Sequence, residues 1–207
     1  MANLTVAWMA LQFCVGFIIY LLPKCSRFLA LGVALLSVNY ALIIFADPSF
    51  LLEIKLLDSF GVTLTIDQIG GFFIITNALV TTAVIFYCWD SNKTAFFYMQ
   101  LTILHASVNA TFICTDFISL YVALEVITIA SFLLITYSRT DRSIWVGLRY
   151  LFVGNTGMLF YLLGAVLVYQ AHHSFGFEGL RGAPPEAIAV IFLGLLVKGG
   201  IFVSGLW

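Results

Sequence analysis

The sequence predicts an all-α integral membrane protein of about seven transmembrane helices, with a short external β-hairpin after the second and a broken helix at the seventh. Three observations predict it. The 207 residues are 62% hydrophobic with a mean hydropathy of +1.09. Only 9% are charged, against about 25% in a soluble domain. The apolar residues also come in runs close to the ~20 residues that a bilayer core requires.

Those runs are 4–22, 28–46, 70–88, 95–114, 117–137, 144–169 and 187–207. The first begins MANLTVAWMALQF, with neither the basic n-region nor the small-residue cleavage site of a secretory signal, and is read as a retained span. PKCSR separates it from the second run. In the stretch before the third, Phe60, Val62, Leu64 and Ile66 alternate with polar residues. A period of two predicts strand, and Gly61 offers the bend of a hairpin. Only Thr115 and Asp116 join the fourth and fifth runs, so these two are expected as a tight antiparallel pair, with Asp116 capping the fifth helix. The sixth run is longer than a crossing needs and is expected to begin as an interfacial turn near Arg142.

Orientation follows from the basic residues. With the N-terminus outside, the inner loops hold Lys24, Arg27, Lys93, Arg139 and Arg142, and the outer loops only Lys55 and Arg181. Lys and Arg bias sets topology, which gives N-out and C-in. Cysteine-accessibility labelling is expected to place SRTDR inside and LRGAPPE outside; the reverse pattern would overturn the orientation.

Glu125 in VALEVITIASF and Lys198 in FLGLLVKGGIFVSG each place an ionisable group near the middle of an apolar run. A charge at the bilayer centre costs from ~3 to over ~10 kcal/mol, so such residues face a bundle interior, pair with each other, or mark an ion path. At ~1.5 Å per residue, Glu125 lies about 12 Å below Phe117 and Lys198 about 16 Å below Ala187. Both helices start from the outer face, so the two groups fall at similar depth, near the middle of a ~30 Å core. If their helices touch, an ion pair forms. Opposite charge favours both charged forms while desolvation favours both neutral ones, and a pair balanced between these effects relays protons. A static pair that only fixes packing is the alternative. Gly199 and Gly200 after the lysine, then Ser204 and Gly205, point to a broken helix or to close packing against small residues.

His105 lies about 15 Å inside the fourth run, where it serves either as a proton bridge or as a neutral, hydrogen-bonded core residue. Arg149 either snorkels to the headgroups or modulates the buried charges. Asn39, Asn77, Asn109 and Asn155 are expected to hydrogen-bond between helices. Cys14, Cys25, Cys88 and Cys114 have no metal or disulfide spacing, and His172 and His173 have no further ligands nearby in sequence, so no metal is expected. The net charge of −1 gives no reason to expect a nucleic-acid partner. Without a G-x-G-x-x-G fingerprint, iron–sulfur spacing or haem motif, no cofactor and no redox chemistry are expected.

The segments TDFISLYVALEVITIASFLLITYSR, LRYLFVGNTGMLFYLLGAVLVY, GLLVKGGIFVSGLW and FGVTLTIDQIGGFFIITNALV resemble the antiporter-like family. That family comprises the A and D subunits of Mrp-type sodium/proton antiporters and the proton-pumping membrane subunits of complex I. The resemblance places Glu125 and Lys198 at the family's proton relay, Asp67 at its usual acid, and Arg149-Tyr150 where Lys-Tyr is usual. Val203 and Gly205 stand where the family has proline and histidine. Members carry a second half with its own lysine, so this chain is expected to be an N-terminal half, and the apolar end at Trp207 reads as a truncated or split product. The organisation implied is one membrane domain, with 4–88 as a three-helix part and 95–207 as the start of the antiporter-like repeat. The implied partners are the lipid bilayer, other membrane subunits of an antiporter or complex I-like assembly, H+ and Na+. The implied location is the bacterial plasma membrane, or a thylakoid or other energy-coupling membrane.

Overall fold

A computed structural model of the chain describes residues 2–46, 51–57 and 62–201. Among these are seven α-helices, one for each apolar run: α1 (Ala2–Leu21), α2 (Ser26–Ala46), α3 (Gln68–Tyr87), α4 (Ala95–Ile113), α5 (Phe117–Ile135), α6 (Asp141–His172) and α7 (Pro185–Lys198). Strands β1 (Leu52–Leu57) and β2 (Val62–Ile66) pair as a two-stranded sheet before α3. The sheet is where the alternation puts it, while the bend expected at Gly61 lies outside the described residues, as do Ser204, Gly205 and Trp207.

Five helices, α1, α2, α3, α5 and α6, are long and apolar enough to cross a bilayer. α7 is 14 residues long, and α4 carries buried Gln100, Thr102, His105, Ser107 and Asn109, which dilute its hydropathy. The interfacial turn expected near Arg142 is instead continuous helix. α6 starts at Asp141, behind a capping box in which the Thr140 hydroxyl accepts from Ser143 N–H and the Ser143 hydroxyl from Thr140 N–H. At 32 residues it is about 48 Å long, more than one bilayer core.

The chain forms two compact units, one of residues 1–54 and 64–113, the other of 55–63 and 114–207. In the first, α1–α4 pack around Trp8, Tyr40, Ile44, Ile74 and Ile113. Trp8 and Tyr40 stack at 4.1 Å, and the Tyr40 hydroxyl is 2.7 Å from that of Thr5. Packing places α4 with the three helices before it, and this unit ends at Ile113. The Asp67 carboxylate caps α3 by accepting from Gly70 N–H at 2.7 Å.

In the second unit, α5, α6 and α7 enclose Phe117, Met158, Tyr161, Ala165, Val168, Ala187 and Ile191. Asp116, fully buried, caps α5 as expected: Oδ1 accepts from Ser119 N–H at 2.7 Å and Oδ2 from Thr63 N–H at 2.9 Å. α6 and α7 approach closely through glycines. A Cβ at Gly194 would lie 2.5 Å from the Gly157 carbonyl oxygen and 2.7 Å from the Tyr161 amide nitrogen. Small residues that let helix backbones touch are how helices associate where lipid removes the hydrophobic drive.

Candidate functional site

Glu125 and Lys198 both belong to the second unit. Glu125 is in the third turn of α5, and Thr128, three residues on, shares its face. Lys198 is the last residue of α7. Gly199 closes that helix and Gly200 follows at φ 71°, a left-handed conformation that glycine adopts without strain. The Gly-Gly step therefore ends the helix at the lysine, where the carbonyl-rich C-terminus suits a cation.

The lysine does not form the expected direct pair. Among the described residues its ammonium donates to the Thr128 hydroxyl, which itself donates to the Leu124 carbonyl at 2.8 Å. α6 packs against both α5 and α7, so the lysine crosses it, at Gly154. A Cβ there would lie 3.6 Å from Nζ, 3.9 Å from Cδ and 3.6 Å from Thr128 Cγ2. Glu125 is half-buried, and among the described residues its Oε1 is buried without a hydrogen-bond partner. Thr128 and Gly154 were not singled out from the sequence. The signal for Thr128 was its spacing of three from the glutamate; a single glycine in α6 offered none.

His105 lies in the first unit, 2% exposed, and is held at both ring nitrogens. Nδ1 is 2.9 Å from the Thr81 hydroxyl of α3, and Nε2 is 2.9 Å from the Ser37 hydroxyl of α2 and 3.1 Å from Asn109 Nδ2. Asn109 also donates to Gln12 Oε1 of α1 at 2.9 Å and accepts from Asn77 at 2.8 Å. All four helices of the unit thus meet in one buried polar cluster. Asn77 and Asn109 bond between helices as expected. Asn39 bonds its own helix, at the Leu35 carbonyl, and Asn155 is exposed.

Arg149 sits with its guanidinium carbon 5.5 Å from the ring centre of Trp145, one turn earlier on α6. Trp145 is largely exposed, so the arginine has a cation–π seat on the outer face of its helix. Among the described residues no group of three or more His, Cys, Asp and Glu side chains is arranged to hold a metal ion.

Residues 114–207 match the family described as NADH:quinone oxidoreductase/Mrp antiporter, TM. The D subunit of a Na(+)/H(+) antiporter from Alkalihalophilus pseudofirmus is 25% identical over 100% of this chain, which covers 46% of that protein. An NAD(P)H-quinone oxidoreductase subunit 2 of Prochlorococcus marinus is 29% identical over 58% of this chain and 25% of its own length. The chain therefore spans half or less of the curated relatives it matches. In fold it is similar to a chain of the Mrp complex from Dietzia sp. (TM-score 0.77, 24% identity, 96% of this chain and 23% of that one). It is equally similar to a chain of respiratory complex I from Thermus thermophilus (TM-score 0.79, 19% identity, 98% and 45%).

Proposed function

We propose that this chain is an antiporter-like membrane protein of the Mrp and complex I type, multi-pass in an energy-coupling membrane, and that it translocates ions through a relay formed by Glu125 and Lys198. The observation that carries the proposal is an acid and a base in one helical unit: the Lys198 ammonium donates to the Thr128 hydroxyl, and Glu125 lies three residues before that threonine on α5. An approaching ammonium favours the carboxylate. Glu125 can therefore take up and give up a proton as Lys198 moves, which a static pair cannot do.

The assembly is a multisubunit cation:proton antiporter of a bacterial plasma membrane, carrying H+ and, in exchange, Na+, with other membrane subunits and lipid as partners. Support comes from the Na(+)/H(+) antiporter relative, which matches the whole chain. The second reading, a proton-translocating subunit of a quinone oxidoreductase, rests on the NAD(P)H-quinone oxidoreductase relative and on the complex I fold. In either, this chain performs no redox chemistry and moves ions. Arg149 modulates the path from its seat on α6, and His105 holds α1–α4 together.

In a complete complex containing this chain, Glu125→Gln keeps size and hydrogen-bonding capacity but removes the proton site. It is expected to abolish or strongly reduce ion translocation into vesicles. Normal assembly with a wild-type rate would remove Glu125 from the relay.

A further inference from the structure

Three features of the second unit fit together. The Lys198 ammonium is hydrogen-bonded to Thr128. Glu125 lies three residues earlier on the same face of α5, about 4.5 Å along the helix axis, with Oε1 buried and without a hydrogen bond. Between α7 and α5 the lysine passes over Gly154, where an added Cβ would sit in van der Waals contact with both Nζ and Thr128. A lysine stem of four methylenes with rotatable bonds covers such a step along a helix without moving the backbone.

We propose that Thr128 is a second seat for Lys198, alternating with Glu125, and that Gly154 is the notch through which the lysine reaches both. This deepens the relay reading and rests on it. Thr128 is a positioning residue. Its hydroxyl spends its own proton on the Leu124 carbonyl, which leaves its lone pairs turned to an incoming ammonium. That suits a cation held away from its counter-charge, since a hydroxyl competes with a carboxylate for an ammonium only weakly and releases it readily. While the lysine is at Thr128, Glu125 binds one proton, forming one O–H bond. When the lysine returns, that bond breaks, the proton leaves to water as hydronium and the electron pair stays on the carboxylate. Without the second seat the lysine rests at Glu125, and the carboxylate stays charged and paired.

The test uses the full-length protein in its intact assembly, reconstituted in vesicles. Thr128→Val removes the hydroxyl and is expected to slow ion translocation by about tenfold, the size of one lost hydrogen bond to a charged group. Thr128→Ser restores the hydroxyl and is expected to recover most of the rate, which a merely structural threonine would not predict. Thr128→Ala repeats the loss with a smaller side chain should valine impair assembly. Gly154→Val is expected to slow transport likewise by filling the notch. A wild-type rate in Thr128→Val or Thr128→Ala, or equal loss in Thr128→Ser and Thr128→Val, overturns the second seat. A wild-type rate in Gly154→Val overturns the notch. Glu125→Gln separates these outcomes from failure of the relay itself: with that variant inactive and Thr128→Val unimpaired, the relay stands and the second seat falls.

Discussion

Lys198→Ala is expected to abolish or strongly reduce ion translocation while the complex still assembles. Removing the base takes away the cation whose approach favours the Glu125 carboxylate; the ~3–5 kcal/mol that truncating one member of a buried pair can cost falls on stability, so assembly is measured alongside transport. Here the loss has two routes. Glu125, whose Oε1 already lacks a hydrogen bond, is left with no cation to draw its proton away. The Thr128 hydroxyl loses its donor. Lys198→Arg keeps the charge but replaces a compact ammonium with a planar fork that does not fit the narrow passage over Gly154, so it is expected to rescue little. Proton flux into vesicles checks the rate and native gel electrophoresis checks assembly. An assembled Lys198→Ala complex that transports normally would leave the chain as a scaffold.

Gly194→Ala is expected to be the most destabilising methyl that can be added to this chain's helix seam. The new Cβ would stand 2.5 Å from the Gly157 carbonyl oxygen, 2.7 Å from the Tyr161 amide nitrogen and 3.0 Å from Tyr161 Cβ. That is about an ångström inside normal contact, and the first two obstacles are backbone. Relief comes only by separating α6 from α7, at roughly 1–3 kcal/mol for overpacking. The informative control is Gly32→Ala in α2, where nothing lies within 4 Å of an added Cβ. There the helix is expected to gain up to about 1 kcal/mol from the better helix former. Thermal unfolding in detergent separates the two, and an unchanged midpoint in Gly194→Ala would remove the seam as the basis of α6–α7 packing. Since α7 also carries Lys198, the same substitution is expected to slow transport.

Much of the fold is legible in the chain because it depends on local rules. Apolar run length placed the seven helices. Asp116 announced a helix start because a short carboxylate before an apolar run can reach an orphan amide. The period of two around Val62 and Leu64 marked β2. The glycines after Lys198 marked the end of α7. The misplaced start of α6 has a local explanation too: the Thr140–Ser143 capping box ties off the amides at Asp141, and nothing obliges a helix to begin at the membrane boundary.

The sequence by itself determined that this is a multi-pass membrane protein that resembles the antiporter-like family, with Glu125 and Lys198 near the middle of apolar runs. Lipid makes unneeded charges too costly to keep, so those that remain are conspicuous. Only the tertiary structure decided what those groups touch. Depth along a helix follows from counting residues, and counting brought Glu125 and Lys198 to one level. The azimuth of each helix and the spacing between helices do not follow from counting. They are set by the close glycine contact of α6 with α7 and by the groove that Gly154 leaves, and they carry the lysine to Thr128. The same holds for His105, whose ring meets Ser37 of α2 and Thr81 of α3, and for Asn109 one turn on, which donates to Gln12 of α1. Each of those bonds depends on side chains from different helices meeting within about 3 Å, a condition that packing satisfies and that no single stretch of sequence contains.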